Sequence, residues 1–321
     1  MDLTYMNANK EDVGVLQEFT LDLAYGLDEN NFELLTNISN HVCEAGWFVY
    51  LEGTEYGGKI SKIRVDTENS SLAYCGKTWH GILENKVLEP DSGMDYLTVS
   101  GEANAILGEL VQRMGLGELF KASSLNSGIN VKYQFWRYVA GYTGIKKMLQ
   151  SAGAKLKMTF KEGYVVLYAE PIVDYSQNDE FDSDQINFVI EKDYEPVNHL
   201  ICLGQGELAE RTVIHLYCDA AGNISETQSF FGVDEVAATY DNNSVEDAET
   251  LRSEGIEYLK ELRGACELAD VFLDASSEYD ILDYVGARDN VTKITMAKQI
   301  VKKIVTIKDN AVKIDYKVGE E

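Results

Sequence analysis

The chain is short of proline, cysteine, histidine and positive charge, and each shortage narrows what it can be. It has no long apolar run either: nothing approaches the ~20 residues that cross a bilayer as a helix. Its first residues, Met1 to Asn7, carry neither a basic start nor an apolar stretch. A soluble chain without a secretion signal or stable membrane insertion is the expectation. The five cysteines, Cys43, Cys75, Cys202, Cys218 and Cys266, are odd in number and scattered. They imply no disulfide framework and suit a reducing cytoplasm. Four histidines, with no His-Glu-x-x-His and no Cys-x-x-Cys, supply no zinc signature. Basic residues number 28 against 54 acidic ones, a formal charge of −26. That balance argues against recognition of nucleic-acid phosphates, which needs lysine and arginine to displace counterions. It serves solubility, or a surface that must repel polyanions.

What is present is ample core material, 45% hydrophobic residues in 321, enough for two to four compact units. The only prolines are Pro90, Pro171 and Pro196, and two of them fall where the pattern changes. Up to about residue 96 the chain reads as successive strands, 2–6, 13–24, 32–36, 46–52, 59–66 and 71–76, separated by Asn, Asp and Gly. Closely spaced strands of this kind favour a sandwich or barrel, which protects sheet edges. From 97 to 170 the period changes. Ala103, Ile106, Leu107, Leu110, Val111 and Met114 recur at helical spacing, with Ser100 as N-cap and Gly115 as the stop. A second helix is predicted over 142–152, then a hairpin in which Ala154, Leu156, Met158 and Phe160 alternate with Lys155, Lys157 and Thr159 before a turn at 161–163. After an acidic loop at 174–184, strands are predicted at 186–190, 199–203 and 212–218. A helix over 245–273 follows, weakened by Gly255 and Gly264, and then strands over 280–285 and 299–316. The fold class expected is α+β and rich in β.

Candidate chemistry is sparse. His215 and Cys218 lie close in sequence, but three residues apart on one strand they point to opposite faces, so a structural role is the reading. His80 beside Trp79 reads as turn packing. Asp179, Asp182 and Asp184 offer hard oxygens for calcium, yet their loop lacks the glycine and terminal glutamate of an EF-hand, and a solvated loop is the simpler reading. Gly204-Gln-Gly206 and Gly115-Leu-Gly117 are too short for phosphate loops, and no Gly-x-Ser-x-Gly elbow occurs. The aromatic run Tyr133 to Tyr138 has two readings, a platform for a sugar or partner chain, or core and strand-edge packing, of which the second is commoner. No catalytic residue, metal ligand or cofactor site is assigned.

Three segments carry a resemblance. Gly76 to Leu88 resembles the Gly-x-x-x-x-Gly-Leu-Leu-x-x-(Arg)-x-Ile turn of phage tail hubs, with Asn85-Lys86 where relatives often have a basic pair. Asn30 to Thr36 is similar to their Gly-Asp-Phe-Glu-Leu strand, and Asn198 to Thr212 to their Asn-x-(hydrophobic)-x-x-Gly-x-Gly-x-x-x-x-Arg stretch. Order and spacing agree, so the chain resembles the siphophage tail-hub (baseplate hub) family over nearly its whole length. The resemblance implies two pseudo-symmetric β-barrel hub domains. These are a first barrel (1–96) and a second one (171–235 and 276–321), with an α+β insert (97–170) and a helical insert (236–275). It implies structural roles for Phe32, Glu33 and Leu34, for Gly76, Gly81, Ile82 and Leu83, and for Gly204, Gly206 and Arg211. It implies a virion component assembled in the host cytoplasm: a homotrimer that adapts a six-fold tube to a three-fold tip. Its partners would be a distal tail protein, tape-measure protein and tip or fibre proteins, and DNA would pass through its lumen without sequence-specific binding. The competing expectation is a tail-tip hydrolase or carbohydrate-binding protein that uses the acidic loop or the aromatic run.

Overall fold

The computed structural model describes residues 2–26, 29–176, 180–182, 188–192, 195–264, 267–271, 279–288, 291 and 295–319. The chain divides into two compact units, Met1–Asn187 with Val271–Glu321, and Phe188–Asp270. Asp179 and Asp184 of the acidic loop, and Cys266, lie outside the described residues.

The first unit opens with strands β1 (Leu3–Met6), β2 (Asp12–Leu16), β3 (Thr20–Gly26), β4 (Asn31–Asn37), β5 (Phe48–Tyr50), β6 (Gly57–Asp66) and β7 (Ser71–Thr78). The period-two alternation places Leu21, Leu23 and Tyr25 of β3, Phe32 and Leu34 of β4, and Leu72 and Tyr74 of β7 in one core. The single strand expected over 13–24 is two strands. Here β2 folds back on β1 as a hairpin whose turn carries Lys10 at φ 66°, and β3 then pairs with β4.

Helix α1 (Trp79–Glu84), β8 (Val87–Leu88), β9 (Thr98–Glu102), α2 (Ala103–Arg113), β10 (Phe120–Ala122), β11 (Asn130–Gln134), β12 (Val139–Ala140), α3 (Gly141–Gln150), β13 (Ala154–Lys161) and β14 (Tyr164–Pro171) follow. The N-cap of α2 is Glu102, not Ser100, because β9 stays in its ladder with β11 as far as Glu102. The Glu102 carboxylate accepts the Ala105 N–H at 2.8 Å and the Ser127 N–H at 2.8 Å, as well as the Ser127 hydroxyl. Burial works to raise this carboxyl, but those donors hold it down to about 2. Helix α3 has no cap of its own. Glu84, at the end of α1, accepts from both the N–H (2.9 Å) and the hydroxyl (2.8 Å) of Thr143. The β13–β14 hairpin turns on Glu162 and Gly163, at φ 53° and 80°, the double positive φ of a two-residue turn that matches strand twist. Trp79, Leu83, Ile106, Leu110, Ile145, Met148, Phe160 and Val165 share the core of this part.

The second unit contains β16 (Phe188–Lys192), β17 (His199–Leu203), β18 (Val213–Cys218), β19 (Ile224–Ser225), β20 (Ala237–Asp241), α4 (Ala248–Gly264) and β21 (Glu267–Val271). β17 to β20 form one sheet, in the order β19-β18-β17-β20, with α4 packed on β17 and β18. The helix expected over 245–273 is shorter. Asp247 caps its start through the Thr250 N–H and hydroxyl, each at 2.8 Å, and the helix stops at Gly264, before the strand β21. Gly255, a weakness by propensity, has a packing reason: a Cβ there would lie 2.4 Å from Cys202 Sγ and 2.9 Å from Leu216 Cδ1.

The chain then returns to the first unit as β22 (Tyr284–Arg288), β23 (Thr295–Lys308) and β24 (Ala311–Gly319). The strand expected over 280–285 starts later, because Asp280 to Asp283 make a hydrogen-bonded turn. β23 pairs with β22, with β24 and, from Lys302 to Lys308, with β3. Strands from both ends of the chain therefore lie in one 11-stranded sheet, whose path runs β15-β22-β23-β3-β4-β7-β6-β5-β1-β2 with β24 beside β23, β15 being Glu180–Asp182. Among the described residues this path does not close: no ladder joins β2 to β15.

Candidate functional site

The hub-like positions of the first segment meet at one place. Phe32, in β4, is buried against two glycines: a Cβ at Gly58 would come within 2.8 Å of its ring, and one at Gly76 within 2.9 Å of the ring and 1.9 Å of the Lys59 carbonyl oxygen. Only glycine lets β4, β6 and β7 close up around that ring. Glu33 points the other way. It receives Arg64 at 2.8 Å and the Cys75 thiol at 3.5 Å on the outer face, beside a groove of about 480 Å³. Leu34 returns to the core. Gly81, in α1, lies where a Cβ would meet the Asn30 carbonyl oxygen at 2.2 Å, Ile82 is half-buried and Leu83 is fully buried.

Beneath α1 lies a cluster that the sequence analysis did not find. The Lys155 ammonium donates to both oxygens of Asp283, at 2.7 and 2.6 Å, and to Asp280 at 3.2 Å. Asp283 also accepts the backbone N–H groups of Val173 and Asp280, each at 2.9 Å, so this fully buried carboxylate accepts four hydrogen bonds from three groups. Lys157 reaches Asp280 at 2.6 Å, and Lys303 reaches Glu55 at 2.7 Å and Asp280 at 3.6 Å. Burial alone would raise the carboxyls of Asp280 and Glu55, but the neighbouring ammonium groups more than offset it and both sit below their ordinary values. Burial likewise opposes the charge on Lys157 and Lys303, and the carboxylates outweigh it, so both are raised. His80 stands at the edge of this cluster, 4% exposed and edge-on to Tyr25 and Tyr142 at 4.9 and 5.0 Å, facing a cavity of about 20 Å³ that Glu55, Asp280 and Lys303 also line. Burial pushes its imidazole down to about 4, against the pull of Glu55, and its Nδ1 makes no hydrogen bond among the described residues. Three ammonium groups face three carboxylates and the neighbouring imidazole is neutral. This is the composition of a lock that fixes the Asp280 to Asp283 turn between β13 and Lys303 of β23, rather than of a nucleophile with its base.

The lock escaped the sequence because its members lie on distant segments and because Lys155 and Lys157 alternate with apolar residues, the pattern of a solvent face. Lys155 is instead buried, covered by the Asp280 to Asp283 turn.

In the second unit the third hub-like segment forms a tie around Arg211. Its Nε donates to the Gly204 carbonyl at 2.9 Å, its Nη2 to the Leu203 carbonyl at 3.4 Å, and the same guanidinium pairs with Asp241 at the end of β20. Gly206, at φ 113°, would place a Cβ 2.7 Å from the Glu210 carbonyl oxygen. His215 is exposed and Cys218 buried, as their spacing predicts. What the spacing missed is the neighbouring strand: His199, paired with Tyr217 in the ladder, sets Nε2 at 2.8 Å from His215 Nδ1 and Nδ1 at 2.5 Å from Glu235, with Tyr217 stacked on it at 4.3 Å. The aromatic run divides in two. Phe135 is core, with Tyr133 edge-on at 5.0 Å, while Trp136 and Tyr138 are 70% and 61% exposed.

No family model matches the chain, and no curated protein matches it. Solved structures do, along its whole length. A prophage MuSo2 43 kDa tail protein from Shewanella oneidensis matches at TM-score 0.56 and 9% identity, over 99% of this chain and 98% of that one. Prophage tail protein gp18 from Listeria monocytogenes EGD-e matches at 0.54 and 13% identity, over 100% and 95%. A tail protein from Neisseria meningitidis MC58 matches at 0.51 and 12% identity, over 100% and 96%. The resemblance read from three short segments is thereby met at the level of the whole fold, and the chain has the β-rich fold of phage tail proteins.

Proposed function

We propose that this chain is a structural hub subunit of a phage-type tail: a homotrimeric ring that closes the tail tube, adapts its six-fold symmetry to a three-fold tip and lets DNA through. The observation that carries the reading is the extent of the likeness, which takes in 99–100% of this chain and 95–98% of the three tail proteins. A shared module in an otherwise different protein would match over a part only. In this reading the chain follows the hub plan, with barrels at 1–96 and at 171–235 with 276–321, and inserts at 97–170 and 236–275. The β3–β23 ladder then joins strands of both barrels in one sheet. The glycines around Phe32 and the tie around Arg211 serve as framework, and no residue is assigned to catalysis. The partners are a distal tail protein above, tip or fibre proteins below and the end of a tape-measure protein in the lumen, all within the virion. The acidic balance of −26 suits a lumen wall from which DNA is repelled.

Light scattering over a concentration series, with negative-stain images of the same peak, tests this. A mass of three subunits and ring-shaped particles is the expected result. A monomer at every concentration, without rings, counts against it and moves glycan-binding and hydrolase assays forward.

A further inference from the structure

His80, in α1, is a buried polar group that its surroundings leave unserved. It is 4% exposed, and its Nδ1 has no hydrogen-bond partner among the described residues. A buried ring nitrogen in that position is costly, and buried polar groups in folded chains are nearly always met by a protein group or by an ordered water. Its ring neighbours do not meet it. Tyr25 and Tyr142 stand edge-on to the imidazole and pack against it, and the Tyr25 hydroxyl donates instead to the Glu55 carbonyl at 3.4 Å.

The imidazole lines a cavity of about 20 Å³ whose other polar walls are Tyr25, Glu55, Lys146, Asp280 and Lys303. One water needs roughly 10–15 Å³ of such space, so the cavity takes a single molecule of that size and excludes an organic ligand. The charges of the wall are balanced, with Glu55 and Asp280 set against Lys146 and Lys303. A cation there would face two ammonium groups and an anion two carboxylates, and a buried charge without a net counter-charge is strongly disfavoured. The guest is therefore neutral. Apolar cavities stay dry, whereas one that offers two to four hydrogen-bond partners holds its water. Two partners of different kind are at hand: His80 Nδ1, and the Glu55 carboxylate, which among the described residues accepts a single bond, from Lys303 at 2.7 Å, and so keeps further acceptor sites.

We infer that this cavity is a binding site for one neutral, water-sized molecule, water itself, which joins His80 Nδ1 to the Glu55 side of the lock. The hydrogen bonds of that water fasten α1 to the charged cluster beneath it, where otherwise packing alone would do so. The site stands whether or not the chain is a hub subunit. Its test is a high-resolution crystal structure of the full chain, together with oxygen-17 relaxation dispersion in solution, which counts waters held inside a protein long enough to exchange slowly. A density peak is expected within about 2.7–3.2 Å of His80 Nδ1 and of a Glu55 carboxylate oxygen. The count of slow waters is expected to fall by one in His80→Leu and to be restored in His80→Asn, whose amide sets a polar atom near the place of Nδ1. The parent structure decides the matter even if the leucine variant does not fold. No density in the cavity, or a count of slow waters that is the same in the parent and in a folded His80→Leu, overturns the site. An anomalous peak there in crystals grown with rubidium or bromide salts puts an ion in the cavity and overturns it equally.

Discussion

Replacing Asp283 by asparagine keeps the size of the side chain and removes its charge, and the geometry sets the expected cost. Asp283 takes two bonds from Lys155 and one each from the Val173 and Asp280 backbones, and it is fully buried. Asparagine can accept at one oxygen, so its amide nitrogen is forced against a donor. Lys155, itself 5% exposed at its side chain, keeps Asp280, at 3.2 Å, as its one carboxylate partner. Breaking a buried pair on one side alone costs about 3–5 kcal/mol. In a cooperative unit of this size that corresponds to a fall in melting temperature of roughly 10 °C. Urea titration followed by near-ultraviolet circular dichroism, which reads the aromatic core around Tyr25, Trp79 and Tyr142, is the assay. The double variant Lys155→Met with Asp283→Leu completes the cycle. Removing both charges spares the desolvation of each, so it is expected within about 2 kcal/mol of the parent. An asparagine variant that loses less than about 1 kcal/mol, or a double variant less stable than either single one, would refute the account of Lys155–Asp283 as a lock.

His80 predicts an acid-sensitive stability with a defined window. Its folded value, about 4, lies below the ordinary 6.5, so the unfolded state binds the extra proton first, and stability falls as pH drops from about 6.5 to about 4. The full contribution is about 3 kcal/mol, and His80→Gln should flatten that part of the pH–stability curve; an unchanged slope would show that other groups carry it. Gly76→Ala puts a Cβ 1.9 Å from the Lys59 carbonyl oxygen and against the Phe32 ring. A loss of about 3 kcal/mol or failure to fold is expected, measured as soluble yield and melting temperature, whereas Gly93→Ala, at an open turn where only the φ of 82° is strained, should cost about 1 kcal/mol.

What the residues make legible is local. The β13–β14 hairpin can be read from its alternation and from Glu162-Gly163, because turn chemistry and period two are written within a few residues. Helix α2 can be read from Ile106, Leu107, Leu110 and Val111, but its cap cannot, since the other oxygen of the Glu102 carboxylate is held by Ser127, twenty-five residues on, and β9 keeps its ladder with β11 as far as Glu102. The same reason hides the lock. Lys155 looks like a solvent residue until the turn at Asp280 to Asp283 is laid over it, and nothing near residue 155 announces a partner more than a hundred residues away. His199 and His215, on neighbouring strands, and Glu235, in the turn before β20, are unremarkable residues until the register sets Ile201 opposite His215 and so brings His199 beside it. Register across long separations is decided by which faces are buried together, a property of the whole sheet.

Charge shows the limit from the other side. A sequence of 54 acidic and 28 basic residues fixes the excess but not its location. The lock takes Lys155, Lys157 and Lys303 together with Asp280, Asp283 and Glu55, three of each sign, and so adds nothing to the excess. Arg64, Arg113, Arg211 and Arg252 are likewise each engaged by a carboxylate. Cations drawn inward or paired leave the excess on the outside, where it raises the cost of bringing any two acidic faces together.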